Sequence, residues 1–219
     1  MKIYTIAISL LLISSCSFLQ KNNIAQGYTE TFYAIKNAVV GFEDPNISLE
    51  IINKIPYASM LLKIGKGPKG LLILESISHD EQTWISADSV YIVIKGGRIV
   101  RTEGLMNDLV YVIFPELNFE EMMKSKLRSF NAFYSYDNPV LNNLELKVSY
   151  EIKDKQIVKL LKGNTDLILI EENISNSDLG WNFTNKYWID QVGEVWKSEQ
   201  YISPKLPIFS VEITKKPSL

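Results

Sequence analysis

Between Tyr57 and Thr214 the apolar residues come in short runs separated by Gly, Pro, Asn and Asp, the rhythm of strands joined by turns. The steadiest pair lies between Trp84 and Leu105. Val90, Tyr91, Ile92, Val93 and Ile94 are consecutive β-branched or aromatic residues, which predicts an interior strand covered on both faces. Gly96-Gly97 then supplies the two positive-φ positions of a two-residue hairpin loop, and Arg98 to Thr102 runs back. A regular ladder sets Lys95 opposite Arg98, Ile94 opposite Ile99, Val93 opposite Val100, Ile92 opposite Arg101 and Tyr91 opposite Thr102. That register carries two costs: like charges face each other at the tip, and Arg101 lies on the isoleucine face beside Glu103, where it needs a partner.

The same reading assigns strands to Tyr57–Ile64, Gly70–Ser76, Ser129–Tyr136, Leu144–Lys153, Gln156–Leu161, Leu167–Ile174, Trp181–Ile189, Glu194–Ile202 and Ile208–Thr214. Asp137-Asn138-Pro139, Asp154-Lys155 and Gly163-Asn164 read as turns. Phe32, Ile35, Val39 and Val40 have helical spacing, which predicts an amphipathic helix over Thr29–Val40. Ile47–Lys54 and Asn118–Lys124 read as short helices, and Leu105–Phe114 fits either helix or strand. The predicted fold is mainly β: one antiparallel domain over 27–219, a barrel or a sandwich, with one or two short N-terminal helices. A curved sheet capped by the Thr29–Val40 helix is the preferred picture. Gly97-Arg98-Ile99-Val100-Arg101-Thr102-Glu103 and Gly193-Glu194-Val195-Trp196-Lys197-Ser198-Glu199 run in parallel, which reads more simply as chance likeness between hairpins than as a duplicated unit.

The N-terminus adds an address. Residues 1–15 carry an early Lys2, an apolar stretch from Ile3 to Ile13 and small residues before Cys16, as a secretory signal does, and the stretch is too short to span a bilayer. Ile13-Ser14-Ser15-Cys16 resembles a lipobox, in which cleavage frees the cysteine for acylation. Cys16 is the one cysteine in the sequence, and a lipid anchor explains a lone thiol placed directly after the apolar run. Residues 16–26 then form a short lipidated tether. Ser17, not Asp, follows the cysteine, so outer-membrane sorting facing the periplasm is expected. Loss of the leader, which carries Lys2 and no acid, moves the net charge from −2 to −3 with the basic residues scattered, so nucleic acid is not an expected partner.

Candidate chemistry is sparse. Gly65-Lys66-Gly67-Pro68-Lys69 lacks the ending of a phosphate loop, and His79, the single histidine, sits in a turn-like stretch, which excludes a histidine triad or a multi-histidine metal site. Glu120-Glu121 and Glu171-Glu172 offer paired carboxylates, but neighbours on a strand point to opposite faces. No catalytic residue, metal or cofactor is expected. For a ligand or partner surface the candidates are Trp84, Arg98, Arg101, Trp181, Trp188, Trp196 and Gln200, with Asn182 and Asn185 beside them; core packing is the commoner fate of such tryptophans. For Arg101 the commoner fate is an internal pair with Glu103 or another carboxylate.

Taken together, Ile55-Pro56-Tyr57-Ala58-Ser59-Met60, Trp84-Ile85-Ser86-Ala87-Asp88, Gly97 to Leu105 and Trp196-Lys197-Ser198-Glu199-Gln200 resemble the YjbF/GfcB group of capsule and exopolysaccharide lipoproteins. The resemblance implies an outer-membrane lipoprotein, not an enzyme, that assists assembly or export of a surface polysaccharide alongside other envelope proteins. Direct binding of the polysaccharide, or carriage of an apolar ligand, is the alternative.

Overall fold

Each run of β-branched and aromatic residues becomes a strand in the computed structural model, which describes residues 43–115, 118–124 and 129–217. The signal segment, Cys16, the tether and the expected Thr29–Val40 helix lie outside the described residues. The chain enters through helix α1 (Leu49–Lys54), whose first turn is capped by the Ser48 side chain. Strands β1 (Ser59–Ile64), β2 (Gly70–Ser78), β3 (Glu81–Ser86), β4 (Tyr91–Lys95), β5 (Arg98–Glu103) and β6 (Leu109–Ile113) follow. Helix α2 (Phe119–Lys124) then leads into β7 (Ser129–Asp137), β8 (Val140–Leu160), β9 (Gly163–Asn176), β10 (Trp181–Ile189), β11 (Val195–Gln200) and β12 (Phe209–Lys215).

All 12 strands belong to one antiparallel sheet, in the order β5-β4-β3-β2-β1-β12-β11-β10-β9-β8-β7-β6. The first and last strands pair with each other, so the sheet curls into a nearly closed barrel and its free edges, β5 and β6, fall in the middle of the chain. Side chains lace that seam at one end. Thr102 Oγ1 donates to Asp108 at 2.8 Å and accepts from the Leu109 amide at 2.9 Å, while the Gly104 amide donates to the other Asp108 oxygen at 2.9 Å. Of barrel and sandwich, the chain therefore adopts the barrel-like form.

Three clusters fill or flank the sheet. The largest holds Met60, Leu72, Trp84, Ile92, Leu109, Tyr136, Leu146 and Phe209. A second gathers Phe119 and Met122 of α2 with Tyr150, Ile170, Tyr187 and Ile189. The third forms where Val158, Leu160 and Leu167, from the far part of the β8–β9 hairpin, meet Trp188 and Trp196.

Two local expectations are corrected. Gln156–Leu161 and Leu144–Lys153 are one strand, not two: Asp154-Lys155 marks an irregularity between Ile152 and Lys155 in the β8–β9 ladder, and the strand runs through it. In the central hairpin both turn glycines have positive φ, Lys95 does face Arg98 and Ile94 does face Ile99, but Val93 pairs with Arg101 and not with Val100. Val100 is thus an extra residue, a β-bulge, and every side chain after it turns over relative to the regular ladder. The bulge puts Thr102 in the interior and Arg101 in solvent, so Arg101 has no need of the internal pair with Glu103 that the regular ladder demanded.

Candidate functional site

Arg98 follows the Gly96-Gly97 turn and is nevertheless buried, at 5% exposure. Its Nε and Nη2 both lie 2.8 Å from Oε1 of Glu172 on β9, a residue only 2% exposed. The second Glu172 oxygen accepts from the Tyr187 hydroxyl at 3.0 Å and from Asn185 Nδ2 at 3.4 Å. The guanidinium lies 4.3 Å from the Phe119 ring centroid and 5.6 Å from that of Tyr187, so α2 and β10 enclose the charge with aromatic surface. Gln200 of β11 clamps the same turn from across the barrel: its Nε2 donates to the Gly97 carbonyl at 3.0 Å, and its Oε1 accepts from the Ile99 amide at 2.9 Å. Arg98 and Gln200 were both surface candidates; the structure brings them together in the interior, as parts of one buried polar network.

Burial opposes the charge on Arg98, but the adjacent Glu172 carboxylate outweighs it and holds the guanidinium above its ordinary pKa. Burial, reinforced by the same carboxylate, pushes the Tyr187 phenol up. Glu172 is thus engaged at both oxygens and is not a free acid or base. Glu171 points away and lies 3.4 Å from Lys153, as strand alternation predicts. In α2, Glu120 pairs with Lys124 at 2.5 Å and Glu121 caps Asn118, so neither acidic pair juxtaposes two free carboxyl groups. His79 is exposed at a positive-φ turn position, and the described residues contain no group of three or more His, Cys, Asp or Glu side chains arranged to hold a metal.

The tryptophans do not form a solvent-facing row. Trp84 is fully buried in the main cluster. Trp181 is half-buried, edge-on to Tyr136 and 5.7 Å from Phe183. Trp188 and Trp196 pack under the β8–β9 hairpin, with Lys162 and Lys216 at 2.9 and 3.9 Å from the Trp196 ring centroid and Lys197 at 4.9 Å from that of Trp188. Lysines therefore occupy the ring faces of Trp196 that a sugar would need. Asn182 is exposed, whereas Asn185 is buried and accepts from the Tyr201 amide at 2.7 Å. Arg101 is exposed and unpaired among the described residues, and stays a surface candidate.

Sequence reasoning missed a cavity of about 440 Å³ at the barrel end where the β4–β5 turn, the β10–β11 turn and α2 meet. Trp84, Ile94, Val211, Ile213, Glu194 and Lys216 are among the residues around it. The indole Nε1 of Trp84 is buried with no hydrogen-bond partner among the described residues. An unmatched buried donor costs about 1–3 kcal/mol. Arg98 Nη1 is a second unpaired donor, but Arg98 is not part of the cavity wall. No local pattern marks the cavity, because its walls come from strands far apart in the chain.

Comparison with known proteins agrees with this architecture. The fold resembles that of the crystal structure of the hypothetical lipoprotein YmcC from Escherichia coli K12, with a TM-score of 0.69 at 18% identity over 79% of this chain and 91% of that one. Two lipoproteins of Escherichia coli K12 described as uncharacterized are similar in sequence. YjbF is 24% identical over 74% of this chain and 77% of its own length, and GfcB is 22% identical over 95% of both. A family profile described as "Group 4 capsule polysaccharide lipoprotein gfcB, YjbF" matches residues 32–215. That span takes in every strand of the barrel, the β4–β5 turn clamped by Gln200 and the cavity beside it, and the chain belongs to the YjbF/GfcB family of group 4 capsule polysaccharide lipoproteins.

Proposed function

We propose that this chain is a lipid-anchored, non-catalytic accessory in the assembly or export of a capsule-type polysaccharide, held by acylated Cys16 on the periplasmic face of the outer membrane and working with envelope proteins of the secretion machinery. The observation that carries this reading is the family match across residues 32–215. Two features support it. Cys16 directly follows an apolar leader, the position at which lipidation would tether the barrel close to the bilayer. The buried carboxylate of the polar network, Glu172, is engaged by Arg98, Asn185 and Tyr187, an arrangement that suits a structural role for that residue better than one in glycoside cleavage.

Deletion of the gene and complementation with wild type or Cys16→Ser tests the proposal, with cell-surface polysaccharide and membrane fractionation as readouts. Wild type is expected to restore surface polysaccharide from the membrane fraction, and Cys16→Ser to appear in the soluble fraction and restore little. Normal surface polysaccharide in the deletion strain, or polysaccharide cleavage by the purified protein, would overturn it.

A further inference from the structure

Two exposed apolar side chains stand on neighbouring turns at one end of the barrel. Met106, in the β5–β6 turn, is 87% exposed, and Val140, where the β7–β8 turn enters β8, is 70% exposed. Turns are ordinarily polar, and each of these side chains gains by leaving water. The turns are also locked together. Asn107 Nδ2 donates to the Asn138 carbonyl at 2.6 Å and Asn138 Nδ2 to the Met106 carbonyl at 3.2 Å, while Asn107 Oδ1 accepts from the Ser203 hydroxyl of the β11–β12 loop. In that loop the Ile208 carbonyl accepts from the Gly65 amide of the β1–β2 turn at 2.8 Å. Alternate turns of an antiparallel meander share an end, so the exposed Leu179 of the β9–β10 turn belongs to this end as well.

The described chain begins here too. Asp44 accepts from Lys63 Nζ at 2.8 Å and from the Lys69 amide at 3.1 Å, which sets it beside the β1–β2 turn. Residues 17–43 link this point to Cys16. At about 3.3 Å per extended residue they can reach around the barrel, so the entry point alone does not orient it, and the apolar turns supply the preference. The exposed charges on the turns of this end are Lys66 and Lys205 against Asp88 and Asp178, with Glu103 and Asp137 at the adjoining strand ends, so headgroup charge gives no net attraction. The opposite end exposes Val192, at 62%, but around the cavity there Val192 is accompanied by Asp80, Glu120, Glu194, Lys197 and Lys216. Lipid at that end would have to cover charge.

We propose that the β5–β6 and β7–β8 turns rest on the lipid bilayer, with Met106 and Val140 at the boundary between headgroups and acyl chains and the cavity beside α2 turned away from the membrane. This orientation rests on the acylated Cys16 of the reading above. Anchoring and orientation are separate measurements, so the second can fail while the first stands.

Fluorescence quenching of the mature, acylated chain on phosphatidylcholine vesicles containing doxyl-labelled lipid tests it. Acylated Cys16 has no free thiol and the sequence has no other cysteine, so Met106→Cys, Val140→Cys, Val192→Cys and Ile157→Cys each offer one site for a fluorescent label. All four positions are exposed, and Val192 and Ile157 lie toward the opposite end. Labels at 106 and 140 are expected to be quenched at least about threefold more than labels at 192 and 157, as apolar groups seated in the interface would be. Met106→Asp in the Val140→Cys chain should cut the quenching at 140 at least about twofold and leave the melting temperature unchanged. Equal quenching at all four positions, stronger quenching at 192 or 157, or no loss with Met106→Asp would overturn the proposal. Mass spectrometry and vesicle flotation of the same chain report the anchor. An unmodified Cys16 would overturn the anchored reading and this orientation together, whereas an acylated, floating chain quenched at 192 and not at 106 would overturn the orientation alone.

Discussion

The β4–β5 and β10–β11 hairpins use one backbone device for opposite ends. Gly97 and Gly193 have φ of +84° and +85°. Three residues after each glycine comes the bulge, Val100 in one hairpin and Trp196 in the other, so that Thr102 and Ser198 both turn inward. The likeness extends outward from the hairpins. Each follows a short helix of six residues with an i,i+4 ion pair, Glu50–Lys54 in α1 and Glu120–Lys124 in α2, and each helix leads a run of six strands. The parallel run of residues noted in the sequence is thus matched in conformation, as in an internal repeat. What differs is the residue after the glycine. Arg98 is buried under α2 and bound to Glu172, whereas Glu194 has a side chain 57% exposed and meets Lys216 at the surface. Equivalent backbone positions have become a core clasp and a rim charge.

Breaking the clasp should have the largest effect. Glu172→Ala leaves the Arg98 guanidinium buried and uncompensated, at an expected cost of about 3–5 kcal/mol in denaturant unfolding. Glu194→Ala should cost under about 1 kcal/mol, because an exposed pair gains little. Removing both charges at once, as Arg98→Met with Glu172→Leu, should recover much of the loss; equal damage from the double variant would show that hydrogen bonding to Tyr187 and Gln200, not charge, holds the turn. Alkali probes the second half of the barrel selectively, since Tyr134 and Tyr136 on β7 and Tyr187 on β10 all have phenol pKa values pushed up from 10.0 by burial. A group protonated more readily in the folded chain contributes stability that is complete below its unfolded pKa and falls as pH rises past it. Stability should therefore be flat up to about pH 10 and then drop by up to about 4 kcal/mol per pH unit in a pH series of melts. Tyr187→Phe should make that drop shallower.

The turn chemistry of these hairpins was legible in the sequence because it is local: two glycines after a β-branched run permit few conformations. Strand alternation likewise sent Glu171 and Glu172 to opposite faces without any tertiary information. The bulge was not legible, since nothing adjacent to Val100 distinguishes a regular ladder from a bulged one; only the alternative of burying Arg101 does, and that depends on the whole wall. Asp154-Lys155 looked like a turn because two charges inside a long strand imitate turn composition. The clasp itself joins residues 74 apart in sequence. Arg98 and Gln200 could be singled out by type, but their convergence on one turn depends on the closure of β1 against β12.

The glycines sharpen the comparison further. A Cβ on Gly97 would lie 2.2 Å from Val195 Cγ2 and one on Gly193 would lie 2.5 Å from the Glu120 amide nitrogen, whereas Gly96 faces open space. All three have positive φ, so an alanine at any of them incurs the left-handed penalty of about 1–2 kcal/mol. Gly96→Ala should show that penalty alone. Gly97→Ala and Gly193→Ala should exceed it by at least about 1 kcal/mol, and Gly193→Ala more than Gly97→Ala if backbone yields less readily than a valine side chain.

The smallest effect is expected at Arg101, and it tests the bulge directly. In a regular ladder Arg101 would sit on the isoleucine face, and its removal would either relieve or unbalance a buried charge, moving stability by several kcal/mol in one direction or the other. With Val100 bulged, Arg101 is exposed and pairs across the ladder with Val93, so Arg101→Ala should change unfolding free energy by no more than about 0.5 kcal/mol. Thr102→Val is its counterpart: Thr102 is buried and bridges Asp108 and the Leu109 amide at the β5–β6 seam, so losing the hydroxyl should cost about 1–3 kcal/mol and loosen the free edges to hydrogen exchange. If Arg101→Ala proved the costlier of the two, the ladder would have to be regular and the inward residue would be the arginine.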